Sequence, residues 1–155
     1  MPTETGAAAT GRSRANLITI VLLVAFVGGL ALGWLQQVHI YESRVYCLGT
    51  EDIYQDAGPR FAALMVWITR VAFYGGALPF LAATALVLTR PWTIGRQAIA
   101  VAIFVSVLAG VLFVVDFAFF NGIESYAEYT GVPGTAADRC PFNQPPWWPN
   151  WIPTR

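Results

Sequence analysis

Residues 97–120 read QAIAVAIFVSVLAGVLFVVDFAFF, a run in which Asp116 is the single charged side chain. At 1.5 Å per residue, a helix of this length reaches about 36 Å, enough for the roughly 30 Å hydrocarbon core of a bilayer. The run lacks the alternation of apolar and polar residues that a membrane barrel strand requires. A backbone in lipid has no water to bond, so such a run must close its own hydrogen bonds as a helix.

Two further runs upstream have the same character. Residues 16–36 carry no charge, and residues 61–89 carry only Arg70. Composition agrees, since 56% of the 155 residues are hydrophobic, 12% are charged and the mean hydropathy is +0.55. A soluble domain carries about 25% charged residues. Such a chain is not disordered in bulk. Nine Arg balance nine acidic residues without a basic block, which argues against a nucleic-acid partner. The expected fold class is an all-α membrane protein with transmembrane helices at 16–36, 61–89 and 97–120.

Charge placement sets an expected orientation. Residues 1–15 carry Arg12 and Arg14 against Glu4, and the short connection 90–96 carries Arg90 and Arg96 with no acid. The connection 37–60 holds Glu42, Glu51, Asp52 and Asp56 against Arg44 and Arg60. The terminal segment 121–155 adds Glu124, Glu128 and Asp138 against Arg139 and Arg155. With three spans, both Arg-rich, acid-poor segments fall on one side, which the positive-inside rule makes cytoplasmic. The expected location is the plasma membrane, with a cytoplasmic N-terminus and an extracytoplasmic C-terminus. Arg12 and Arg14 ahead of Gly28, Gly29, Ala31 and Gly33 also resemble a cleavable secretory signal, but the apolar stretch exceeds the usual 7–15 residues. Residues 1–15 read as a disordered cytoplasmic tail.

Cys47 and Cys140 are the two cysteines, and this topology puts both outside, where disulfides persist. The expected bond ties the loop 37–60 to the C-terminal segment. The alternative, a metal or cofactor site adding His39 and Glu42, lacks the tight ligand pairs of known metal sites. His39, the single histidine, reads as a hydrogen-bonded residue at the outer end of the first span.

The two intramembrane charges give a register. Arg70 lies 20 residues before Arg90 and Asp116 lies 20 residues after Arg96, so antiparallel helices set both at one depth. An unpaired charge in lipid costs about 2.5–3.5 kcal/mol at the helix centre, which favours an Arg70–Asp116 ion pair over separate snorkelling. A functional alternative has Asp116 relaying protons or binding a cation. The same register sets Ala77 opposite Ala109 and Thr84 opposite Ala102, and predicts a close-packed face along Ala98, Ala102, Ser106 and Gly110. Ala25, Gly29 and Gly33 form a small-residue stripe ready for another helix of this chain or of a partner. Pro79 predicts a kink near Gly75 and Gly76.

Residues 61–69, with Met65 and Trp67, are expected to pack against residues 117–129 and a loop containing Tyr41, Tyr46 and Tyr54. The result is a small extracytoplasmic cap tied by the disulfide. Beyond it, Pro141, Pro145, Pro146, Pro149 and Pro153 exclude a regular helix or central strand and predict an extended or polyproline-like segment. Trp147, Trp148 and Trp151 in this segment read as partner or membrane-interface contacts.

Catalytic equipment is sparse. The chain carries no phosphate loop, no dinucleotide fingerprint, no zinc-protease helix and no nucleophile elbow. With no lysine and one histidine, acid–base chemistry shrinks to isolated carboxylates and tyrosines. No catalytic residue, metal or cofactor is expected. The chain reads as an accessory or scaffold subunit of a larger membrane protein complex, in contact with membrane lipids. A transport component built around Asp116 and Arg70 is the first alternative, and a redox or quinone-associated subunit the second. The absence of lysine beside abundant Ala, Gly and Pro hints at a GC-rich bacterial genome.

Overall fold

The structure, a computed structural model, describes residues 5–48, 57–120, 139–141, 144–149 and 151–152. They form three helices: α1 (Thr5–Leu48), α2 (Ala57–Leu88) and α3 (Ile94–Phe120). All three are long and apolar enough to cross a membrane, and no strand occurs among the described residues. The architecture is that of an all-α, multi-pass membrane protein.

Helix ends differ from the apolar runs for physical reasons. α1 begins inside the segment read as a disordered tail and continues well past residue 36, for 44 residues in all. No proline interrupts residues 5–48, and residues 37–48 hold neither Gly nor Pro. Once nucleated, a helix propagates at one hydrogen bond per residue, whether or not the next side chain is apolar. α2 starts earlier than residue 61 because Pro59 falls in its first turn, where a missing N–H breaks no bond. The helix continues through Pro79 without a break.

The α2–α3 turn closes tightly. Pro91 disfavours helical geometry at Arg90, and the chain turns through Arg90 N–H to the Val87 carbonyl (3.3 Å) and Trp92 N–H to the Thr89 carbonyl (3.0 Å). Thr93 then supplies the first acceptor of α3, taking the Gln97 N–H at 2.9 Å. The buried Gln97 side chain reaches back and donates from Nε2 to the Leu86 carbonyl at 2.9 Å. That satisfies one of the carbonyls orphaned at the end of α2.

The chain divides into two compact units. The first comprises Met1–Gly33 and Val71–Gly110. Its core gathers Ala25, Leu78, Ala82, Ala85, Leu86 and Val101, with Val105 and Ala109 packed against it. α3 therefore enters this core through Val101, Val105 and Ala109. Ala102, Ser106 and Gly110 face outward, and a Cβ at Gly110 would meet nothing within 4 Å. The close-packed stripe expected on α3, and with it the Thr84–Ala102 pairing, is displaced by one residue. Burying valine removes more apolar surface than burying alanine, and that outweighs the closer approach of a small-residue face. On α1 the small-residue stripe has an intramolecular partner. A Cβ on Gly29 would collide with the Tyr74 carbonyl oxygen and lie 2.9 Å from its carbon and 3.0 Å from Gly75 Cα.

The second unit comprises Trp34–Arg70 and Val111–Arg155. Ile40, Phe117, Ala118 and Trp148 form its apolar core, with Val114 and Ile152 against it. In both units the helices turn large apolar side chains outward, among them Leu23, Phe80 and Ile103 in the first and Leu64, Val66 and Val111 in the second. Such a surface suits lipid rather than water.

Candidate functional site

The second unit holds a polar cluster on three otherwise apolar helix segments. Gln36 and Gln37 come from α1, Arg70 from α2 and Asp116 from α3. Arg70 Nε donates to Asp116 Oδ2 at 3.0 Å and Nη2 to Oδ1 at 3.2 Å. Its third nitrogen, Nη1, donates to Gln37 Oε1. The side chains of the pair are 11% and 16% exposed, so each charge is nearly withdrawn from its surroundings. A fork of this kind is the strongest pairing an arginine makes with a carboxylate. Gln36 is fully buried; its Nε2 donates to the Phe113 carbonyl at 3.1 Å, while its Oε1 has no hydrogen-bond partner among the described residues. The residue pattern sets no register for the two glutamines, although adjacent amides at the end of an apolar run are a recognisable signal.

Farther along α1, Cys47 and Cys140 are joined by a disulfide with Cα atoms 5.4 Å apart. Neither sulfur is a thiolate, the form in which cysteine binds a metal. Among the described residues, no three His, Cys, Asp or Glu converge on a metal-sized site. Among the described residues, His39, expected in a hydrogen bond, has ring neighbours, with Phe117 at 5.0 Å and Trp147 at 6.3 Å between centroids.

The described residues after Cys140 make successive turns, where their prolines predict an extended form. The Gln144 N–H donates to the Pro141 carbonyl (3.3 Å), Trp148 to Pro145 (2.8 Å) and Ile152 to Pro149 (2.9 Å). Proline lacks a donor but keeps its carbonyl, so a proline every fourth residue starts a turn instead of blocking one. Pro146 occupies the second position of its turn, where a fixed φ near −65° is favoured. Trp148 Nε1 (2.8 Å) and Gln144 Nε2 (3.1 Å) both donate to the Ile152 carbonyl and draw the turns together.

This folding separates the three tryptophans. Trp148 is 6% exposed and stacks on Phe117 with ring centroids 4.1 Å apart, which removes it from the expected contact set. Trp147 is 45% exposed and meets Tyr46 edge-on at 5.2 Å. Trp151 is 82% exposed.

The expected cap falls only partly within the described residues. Trp67 meets Trp34 edge-on at 4.4 Å, while Phe61, Leu64, Met65, Val66 and Ile68 are exposed. Tyr54 and residues 121–129, expected to cover them, lie outside the described residues. No family model, curated protein or solved structure matches the chain, so the site is defined by its own chemistry.

Proposed function

We propose that the chain is a small accessory or scaffold subunit of a larger membrane assembly, N-terminus cytoplasmic and tail extracytoplasmic, which receives a partner protein on its folded tail. One observation carries this: Trp151 stands 82% exposed at the end of a tail ordered by turns, a disulfide and a stacked indole. Ordering a flexible segment is a main cost of association, and here folding has already met it. Tryptophan is the residue most enriched at binding hot spots. The outward Ala102, Ser106 and Gly110 on α3 add a small-residue face of the kind membrane helices use to associate. The fork on Asp116 favours a structural role over the transport reading, because both carboxylate oxygens already accept from Arg70.

The test is extraction of tagged chain from its own membrane in mild detergent. A partner at fixed stoichiometry is expected with the parent chain and lost with Trp151→Ala, while Phe104→Ala retains it. Migration of the parent chain alone would overturn the proposal. Orientation is tested with Thr93→Cys and an impermeant thiol reagent, which should label the residue only after the cells are opened.

A further inference from the structure

We infer that the first unit carries a binding site for one acidic phospholipid, formed between α1 and α2 at the end that bears Arg14 and Arg90. The inference does not depend on the scaffold proposal. A groove of about 510 Å³ runs there, lined on α1 by Arg14, Ile18 and Leu22 and on α2 by Ala83, Val87 and Arg90. That volume lies within the ordinary range of small-molecule sites, about 300–1,000 Å³.

The order of these residues gives the groove its polarity. Positions 14, 18 and 22 lie four apart on one face of α1, and 90, 87 and 83 lie three and four apart on one face of α2. Both series begin with an arginine and continue into aliphatic side chains, over about 10–12 Å at 1.5 Å per residue. The lining therefore passes from cationic to wholly apolar along its length. An amphiphile with an anionic head and a hydrocarbon tail has the complementary profile.

Donors remain for the head. Arg14 spends Nη1 on the Arg90 carbonyl (3.2 Å) and Nη2 on the Trp92 carbonyl (3.5 Å), two of its five N–H groups. Those bonds hold its guanidinium at the groove mouth. Arg90 is exposed, and no described residue pairs with its side chain. Among the described residues, the groove lining holds these two arginines and no acid, so the field there attracts an anion. Arginine grips phosphate oxygens in a fork, and basic pockets between membrane helices suit acidic head groups.

The test is native mass spectrometry of the purified full chain from mixed micelles of defined composition. Dioleoyl phosphatidylglycerol is the probe, dioleoyl phosphatidylcholine the zwitterionic control and glycerol 3-phosphate the chainless one. One retained phosphatidylglycerol per chain is expected, at least about tenfold favoured over phosphatidylcholine, with no retained glycerol phosphate. Arg90→Gln, which leaves the Arg14 bonds in place, and Ala83→Leu, which fills the groove, should each reduce the preference at least severalfold. Arg96→Gln, outside the lining, should not. Equal retention of the two lipids, an equal loss with Arg96→Gln, binding of the headgroup alone, or a dimer that excludes lipid would each overturn the inference. Circular dichroism of every variant separates lost binding from lost folding.

Discussion

Arg70 holds both carboxylate oxygens of Asp116, through Nε at 3.0 Å and Nη2 at 3.2 Å, while its remaining nitrogen is taken by Gln37. The clasp joins segments of all three helices within the second unit. Breaking one side of a buried ion pair strands the other charge and costs about 3–5 kcal/mol. Arg70→Met and Asp116→Leu should each destabilise by that order, and the double variant should recover most of the loss. Thermal unfolding of the four proteins in one detergent checks this. Additive losses would show that the two charges are satisfied separately.

Removing the disulfide should loosen the tail while leaving the helices. The bond closes a sequence separation of 93 residues, and on the chain-entropy model a loop of that size contributes on the order of 4 kcal/mol. With Cys47→Ala and Cys140→Ala, the melting temperature should fall and proteolysis should begin within residues 139–152. Tryptophan emission should shift to the red as Trp148 leaves Phe117. Unchanged emission and unchanged cleavage would mean that the turns and the stack suffice without the bond.

The two neighbouring glycines of α1 should behave oppositely. A Cβ on Gly29 collides with the Tyr74 backbone, whereas one on Gly28 meets nothing within 4 Å. Gly29→Ala should destabilise by about 1–3 kcal/mol through overpacking. Gly28→Ala should be neutral or stabilising by up to about 1 kcal/mol, from helix propensity alone. Parallel melting curves decide it, and equal effects would refute the close approach.

Trp148 and Trp151 should separate stability from association. Trp148→Ala removes the stack on Phe117 and a bond to the Ile152 carbonyl, for a loss of about 3–5 kcal/mol. Trp151→Ala should alter stability by no more than about 0.5 kcal/mol and weaken partner retention. Melting curves beside the detergent pull-down distinguish the two roles. A large stability loss with Trp151→Ala would assign it to the core.

The three spans were legible because sustained absence of charge is a signal that few soluble segments imitate. Helix ends were less so. Hydropathy ends at Gln36, whereas the backbone of α1 continues to Leu48, because helix continuity depends on the absence of breakers and not on apolarity. Equal spacing of Arg70 and Asp116 from the turn predicted one depth, and the two side chains are paired. Helix faces were harder. Counting small residues favoured Ala102 and Gly110 on α3, but Val101 is the buried one, since burial area decides where both options fit. In the tail, the prolines revealed which structures are forbidden. Their carbonyls, invisible to a propensity argument, decided which structure forms.

Translation order gives the Cys47–Cys140 bond a further consequence. Cys47 leaves the ribosome 93 residues before its partner, so it stays a lone thiol while α2 and α3 are still being made. The covalent seal comes last. A nascent chain stalled between Cys47 and Cys140 keeps a free sulfur and so remains chemically distinguishable from a finished one.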